Sequence, residues 1–499
     1  MFWAEELLQG KIKKNLINDA WTPSGIIHMG GLKGPIIHDT LSRILKIQGK
    51  DVRFTFGFDD MDAIDGLPQN LKESYGRYMG IPICNAPSPD GNGTFGEYYG
   101  NIMRDLFKKL DISAEIYLAS DYYRNGIYNK AIEHVLNNAD KVRKVYSDIY
   151  KKTIERDWFP LQVICPECGK IGTTKVTGWD GLEVEFECSK SLVKWAEGCG
   201  RIGKISPFNG LATMPFKLEW ASKWWIFGVT IEGAGKDHAS AGGAYDVARK
   251  ICKDVFGQEP PIPVPYEFFL YDGKKMSSSR GVGLNTNELL EVISPQMVRF
   301  LMIKTKPNLA IEFNPYQTQI IPKLYDDYQR FAQLHKIDPR SEGGLIFELS
   351  QIGITEKVSS IRFATLAQWV QMPNMEEKIK KENLEKWAGF ARIWVDRYAS
   401  ESEKFNVQKE IPKTVNTLSD KQKEFLIIIS KEIDNHLDPE NLQKYLYDIG
   451  KDLHLSSKDT FAAIYISFIG KDHGPKAGWL LLSLDKNFVK QRCIEVSRI

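Results

Sequence analysis

No stretch of this chain stays apolar long enough to cross a bilayer, because charge interrupts its longest hydrophobic runs. Membrane-spanning helices and a membrane partner are therefore not expected. The opening residues, Met1-Phe2-Trp3-Ala4-Glu5-Glu6, lack the basic-then-apolar layout of a secretory leader. A cytoplasmic location is expected on that basis. Charge of either sign is scarcely in excess, with 66 Lys+Arg against 64 Asp+Glu for a net +2. That excludes a protein that coats nucleic acid by bulk charge, and it confines any RNA contact to local patches. Lys141-Val142-Arg143-Lys144 and the run Lys378 to Lys381 are either such patches or plain solvated faces. Internal repeats and low-complexity tracts are missing too. Cysteine is sparse, at seven residues, and in a reducing compartment these read as thiols or metal ligands rather than a disulfide framework.

What is present is globular: 42% apolar and 26% charged residues in a chain of 499, enough for several domains. Leu16 to Ala20 is a short, mostly apolar run that ends in the turn-rich Thr22-Pro23-Ser24-Gly25. A helical pattern follows from about Gly31 to Gln48, then a strand-like run from Val52 to Phe58. Strand, glycine-rich turn, helix, strand is how a doubly wound, Rossmann-like parallel α/β sheet begins. Such sheets bind ligands beyond the carboxyl ends of their strands. That places Thr22 to Gly31 and the acidic group Asp59, Asp60 and Asp62 at the expected site. The sheet pattern breaks between Lys152 and Pro207, where four cysteines and short alternating strands such as Leu182 to Phe186 occur. It resumes with Leu218 to Val229, and the last third is helical in period, as in Gln422 to Asn435 and Phe461 to Phe468. The expected division is a catalytic α/β domain in two halves, 1–151 and 208–306, around a metal-stapled insertion at 152–207. A connecting helical region at 307–350 and an α-helical domain at 351–499 complete it.

Three groups of residues carry chemistry. His28-Met29-Gly30-Gly31 sits where a strand hands over to a helix, and a helix start offers unpaired N–H groups to a phosphate. The glycines let a nucleotide approach the backbone, and the histidine can hydrogen-bond phosphate oxygens. Taken alone, such a histidine is more often a capping or packing residue. Lys274-Lys275-Met276-Ser277-Ser278-Ser279 lies between Gly273 and Gly281, which suggests a mobile loop. Its lysine can supply charge, and its hydroxyls hydrogen bonds, to a departing pyrophosphate. Cys165-Pro166-Glu167-Cys168 followed by Cys188 and Cys199 has the character of a four-thiolate structural zinc site. The 10-residue gap before Cys199 makes that ligand the loosest of the four. Cys84, Cys252 and Cys493 are isolated and read as small buried hydrophobes.

In this order, the histidine-glycine turn near the start and the Lys-Met-Ser-Ser loop resemble the two signatures of class I aminoacyl-tRNA synthetases. Thr22-Pro23-Ser24-Gly25, Asp59-Asp60-Met61-Asp62, Gly235-Lys236-Asp237-His238, Pro261 to Tyr266 and Gly474 to Trp479 look like class I lysyl-tRNA synthetases, from about Phe2 to Lys490. The resemblance implies lysine activation with ATP and Mg2+, then transfer to the 3′-terminal adenosine of tRNA(Lys), by a monomer whose helical C-terminal domain reads the anticodon. It implies His28 and Lys275 as catalytic residues and Thr22, His28, Gly30, Gly31, Asp237, Lys275, Met276, Ser277, Ser278 and Ser279 around ATP. Thr22, Asp59, Asp60, Phe216, His238 and Tyr266 would hold the amino acid. Trp387, Trp394 and Tyr398 are either base-stacking rings or helix core. Departures from the family pattern fall at Ala20, Gly31 and Phe216, usually Gly, His or Asn, and Trp; Arg280 could replace the loop's missing second lysine. Many relatives carry histidines suggestive of a second metal site near Asn92 and Tyr98; neither position is His in this chain, so no second metal is expected here. Three other readings stay open: a tRNA-binding paralogue that does not charge, a synthetase for another amino acid, and a small-molecule adenylyltransferase on the same fold.

Overall fold

Five short runs, most of them rich in β-branched or aromatic residues, become the parallel strands of one sheet. They are β1 (Leu16–Trp21), β2 (Arg53–Phe58), β3 (Glu115–Leu118), β4 (Ile231–Gly235) and β5 (Ile262–Tyr266). In the computed structural model, which describes residues 2–9, 15–276 and 285–499, these strands lie in the order 5-4-1-2-3. The order reverses beside β1, so the ligand crevice of this doubly wound sheet opens between β1 and β4. The ladders explain why. β1 pairs with β2 through all six residues, Leu16↔Arg53 to Trp21↔Phe58. With β4 it pairs only at Ile17↔Ile231 and Asn18↔Glu232. Beyond Asn18 the two strands part.

Alternation along β1 sorts its side chains by face. Asn18 bonds Glu232 (2.9 Å) and accepts from Thr55 (2.9 Å) and Tyr117 (3.2 Å). Asp19 turns instead to His38 on α1 (Lys33–Ile47). That helix is buried along most of its first three turns and ends at Gly49 in the left-handed region (φ 71°). Helix α2 (Phe95–Lys109) starts on a capping box between Thr94 and Glu97. Helices α3 (Phe216–Phe227) and α4 (Ala244–Asp254) flank β4 in sequence, and Trp224 of α3 donates to the buried Glu232 carboxylate. Burial pushes that carboxyl up to about 7, against the hydrogen bonds from Trp220, Trp224 and Asn18.

The cysteine-rich stretch folds as an antiparallel sheet of Thr174–Trp179, Val184–Cys188 and Ile202–Ile205. The chain forms two compact units: Met1–Leu290 with Pro295–Phe313 and Leu334–Glu356, and Glu291–Ser294 with Asn314–Gln333 and Lys357–Ile499. The cysteine-rich sheet belongs to the first, and residues 334–356 return to it. The second unit is helical, including Glu385–Arg397, Asp420–Glu432 and Ser457–Ile469. Trp387, Trp394 and Tyr398 are 5%, 2% and 4% exposed there, against Tyr325, Phe363 and Tyr316. Of their two readings the structure selects helix core. No described helix is long and apolar enough to cross a membrane.

Candidate active site

The histidine turn is a single 3-10 turn, Met29–Leu32, with His28 as its cap. Gly31 N–H donates to His28 Nδ1 (3.2 Å), which leaves the ring proton on Nε2. Burial and then the nearby Lys275 charge push the imidazole down to about 4. The ring is therefore neutral near pH 7, with its proton on Nε2. The glycines work differently from the sequence expectation of open space for a nucleotide. A Cβ on Gly30 would stand 3.1 Å from the His28 ring and 3.2 Å from Phe269 Cβ, and one on Gly31 would stand 2.6 Å from Ile27 Cγ1. Their first service is to let the chain's own side chains pack.

The neutral ring has a measurable consequence. An ordinary histidine titrates at 6.5, so the unfolded chain takes up this proton first as pH falls. The stabilisation from His28 should be complete above about pH 6.5 and drain away towards pH 4. Its Cε1–H resonance should titrate near pH 4 in the ligand-free protein and move up in Lys275→Ala. A midpoint above pH 6 in the unmutated protein would refute the buried, neutral ring.

Lys275 is presented by a hairpin, Phe269–Tyr271 against Lys274–Lys275, with Asp272 (φ 49°) and Gly273 (φ 69°) as its two turn residues. Positive φ at both positions is the type I′ turn that suits twisted strands. Gly273 is thus a turn residue. Lys275 Nζ lies 2.5 Å from Asp237 Oδ2 and 4.7 Å from the centre of the Phe268 ring. Burial raises the Asp237 carboxyl, but the Lys275 hydrogen bond and the His238 and Lys275 charges outweigh it and hold the carboxyl low.

Between the turn and the hairpin is a cleft of about 390 Å³, within the size range of small-molecule sites. His28, Gly30, Gly31, Asp237, His238, Tyr266, Lys275 and Met276 all line it. Ser277, Ser278 and Ser279 lie outside the described residues. Phe216 stands beside the cleft, 45% exposed, edge-on to His238 at 5.8 Å. Thr22, Asp59 and Asp60 are not among the lining residues. Thr22 donates to Asp62 (2.8 Å). Asp59 pairs with the buried Lys223, which also holds Glu219 (3.0 Å). Asp60 is spent on the Ser120 amide (2.8 Å) and hydroxyl (2.6 Å). Asp59 and Asp60, expected around the amino acid, are both tied into the chain itself. Burial, with Asp59 and Glu219 close by, pushes Asp62 up to about 8.

Sequence reasoning passed over Asp19, Lys33 and His38. Asp19 lines the cleft; its only signal was a carboxylate within a strand, near the end that faces the crevice. Lys33 is buried with its ammonium on the carbonyls of Glu267 (2.8 Å), Leu309 (3.0 Å) and Pro307 (3.5 Å). Burial pushes it down to about 8. Three of the six basic residues in the two runs pair with neighbouring acids: Arg143 with Asp140, Lys144 with Asp148, Lys378 with Glu382.

The four cysteines converge. Their sulfurs all lie within 4.8 Å of one another, with Cys165–Cys199 at 3.6 Å and Cys168–Cys188 at 3.7 Å. The long gap to Cys199 is closed by a ladder, since Cys188 N–H bonds Arg201 O (2.8 Å) and Gly200 N–H bonds Cys188 O (2.8 Å). Thr173 Oγ1 stands 3.3 Å from Cys188 Sγ, and Cys199 N–H donates to the same sulfur (3.4 Å).

Known proteins match this arrangement along its whole length. The chain is 33% identical over 536 aligned residues to lysine--tRNA ligase 1 of Methanosarcina acetivorans, covering 100% of this chain and 98% of that one. It is 30% identical to the lysine--tRNA ligase of Picrophilus torridus, covering 99% and 98%. The same identity relates it to the lysine--tRNA ligase of Archaeoglobus fulgidus, covering 99% of both. The family model described as tRNA synthetases class I (K) matches residues 2–352, which contain the parallel sheet, the His28 turn, the four thiols and the Lys275 hairpin. Fold, cleft and family agree, and the chain belongs to the class I tRNA synthetases of the K type.

Proposed function

We propose that this enzyme is a lysine–tRNA ligase. It joins the carboxylate of lysine to the α-phosphate of MgATP, expels pyrophosphate, and passes the lysyl group to the terminal adenosine of tRNA(Lys). One observation carries the reading: a neutral imidazole donor, His28, and a lysine, Lys275, face one cleft at the switch point of a doubly wound sheet. The full-length likeness to lysine–tRNA ligases supports lysine over other amino acids, and the likeness extends through the helical unit.

Adenylation asks little covalent chemistry of the protein, so positioning and charge stabilisation dominate. His28 Nε2–H donates to an oxygen of the transferring phosphate. Lys275 leaves Asp237 to follow the charge that develops on pyrophosphate, and Asp237, once released, is free for the ribose. Gly30 and Gly31 keep the backbone near the nucleotide, with Met276 and Ser277 to Ser279 on the loop side. Thr22, Phe216, His238 and Tyr266 are assigned to the amino acid. The four thiols are assigned to a structural zinc. Tetrahedral Zn–S bonds of about 2.3 Å require sulfur–sulfur edges near 3.8 Å, and the edges of 3.6 and 3.7 Å fit. Four protein ligands leave no coordination site for substrate. Thiolate ligands persist where thiols stay reduced, which agrees with a cytoplasmic enzyme. A monomer, with the helical unit reading the anticodon, completes the proposal.

Amino-acid-dependent exchange of labelled pyrophosphate into ATP, run with all the standard amino acids, tests the core. Lysine should support exchange alone. Exchange with a different amino acid and none with lysine would overturn the specificity, and no exchange with any would overturn the activity.

A further inference from the structure

We propose that Asp19 recognises the side-chain ammonium of the substrate, an inference that rests on the lysine reading above. Three acids line the cleft, and two of them already have a cation. Asp237 pairs with Lys275 (2.5 Å) and Glu267 with Lys236 (2.7 Å). Asp19, 7% exposed, makes no ion pair with a lysine or arginine among the described residues; its partner is His38. Burial lowers the His38 ring, but the Asp19 charge and hydrogen bond and the Glu232 charge outweigh it and raise its proton affinity; its hydrogen bonds are nonetheless those of a neutral ring. Gly233 N–H donates to His38 Nε2 (2.8 Å), so the single ring proton is on Nδ1. Nδ1–H is shared between Asp19 Oδ2 (3.0 Å) and the Gly34 carbonyl (2.9 Å). His38 therefore orients the carboxylate without cancelling its charge, and Ala20 N–H holds the second oxygen (2.9 Å).

Buried anions without a cation are costly, and one at the floor of a ligand cleft is a receptor for a cation. Gly34 keeps that receptor open. A Cβ there would stand 2.6 Å from Tyr266 Oη and 3.1 Å from Asp19 Oδ2. Ile27, Pro35 and Phe56 supply apolar wall for a four-carbon stem, and Tyr266 adds a ring near its end. The carboxylate that selects lysine thus comes from the strand before the histidine turn, and the acids after β2 stay in the framework.

Asp19→Asn tests this, because an amide keeps the shape and still accepts from His38 Nδ1–H. Pyrophosphate exchange should show the KM for lysine raised roughly 100-fold, the effect of removing one partner of a buried charge contact, with the KM for ATP unchanged. Calorimetric affinity for norleucine should hold or improve. An unchanged lysine KM would overturn the proposal. So would equal losses for lysine and norleucine, which would put Asp19 on the α-ammonium. If Asp19→Asn does not fold, Gly34→Ala is the second variant. Alanine suits a helix better than glycine, and its methyl should give the same lysine-selective loss; full lysine affinity in Gly34→Ala would count against the proposal. A failure of the lysine reading itself would show in the unmutated enzyme, as exchange with another amino acid.

Discussion

Replacing Lys275 with alanine should slow adenylate formation about a hundred- to a thousand-fold while leaving lysine affinity nearly unchanged. Losing one charge-assisted contact made in the transition state costs roughly 2.5–4 kcal/mol. The structure sharpens the expectation. Lys275 is paired with Asp237, so an interaction with the nucleotide must replace an existing one. Alanine removes both. ATP binding should therefore weaken less than the rate does, which is the signature of a group that acts mainly in the transition state. Lys275→Arg should recover part of the rate only, because a planar fork does not reproduce a compact ammonium. Rapid-quench measurement of the first turnover would decide, and a wild-type rate in the alanine variant would end the assignment.

The second large effect belongs to the cysteines. Enzyme purified without added metal should contain one zinc per chain, and Cys168→Ser should lose it. Structural zinc in small modules binds with an apparent roughly 10–16 kcal/mol near neutral pH, and binding and folding are one event there. Removal should therefore unfold the sheet of Thr174–Trp179, Val184–Cys188 and Ile202–Ile205. Hydrogen exchange across residues 162–205 should rise sharply in the variant or with chelator, while β1 and β2 stay protected. Elemental analysis that found no zinc, or a serine variant that kept its metal, would remove the four-thiolate site.

How far the sequence speaks depends on whether a residue acts locally or across the chain. The run expected from Val52 to Phe58 is β2, Arg53–Phe58, and the helical pattern from Gly31 to Gln48 is α1, Lys33–Ile47, behind a 3-10 turn. Both signals are periodicities within one element. The cysteines were legible because metal spacing survives in sequence. Gly273 carries a second local signal: Tyr271-Asp272-Gly273-Lys274 holds the Asp-Gly pair of a type I′ hairpin, and the structure places the glycine in that turn. Asp59 and Asp60 were legible only in part. Their position beyond a strand end was right, yet their partners, Lys223 and Ser120, lie 164 and 60 residues away. Nothing local announces those partners. His38 stayed hidden in the same way, because its partners are a strand before it and a glycine amide 195 residues later.

Lys33 gives the cleft something like a fulcrum. A lysine in the first turn of a helix opposes the helix dipole, and here its buried ammonium is held by the carbonyls of Glu267, Pro307 and Leu309. Those carbonyls precede the first strand of the Lys275 hairpin, Phe269–Tyr271, and the strand Ile311–Glu312 that pairs beside it. Five residues back along the chain is His28. The ring and the root of the hairpin are thus referenced to one anchored point, so a swing of Lys275 from Asp237 towards a phosphate moves the lever and leaves its pivot in register with the histidine.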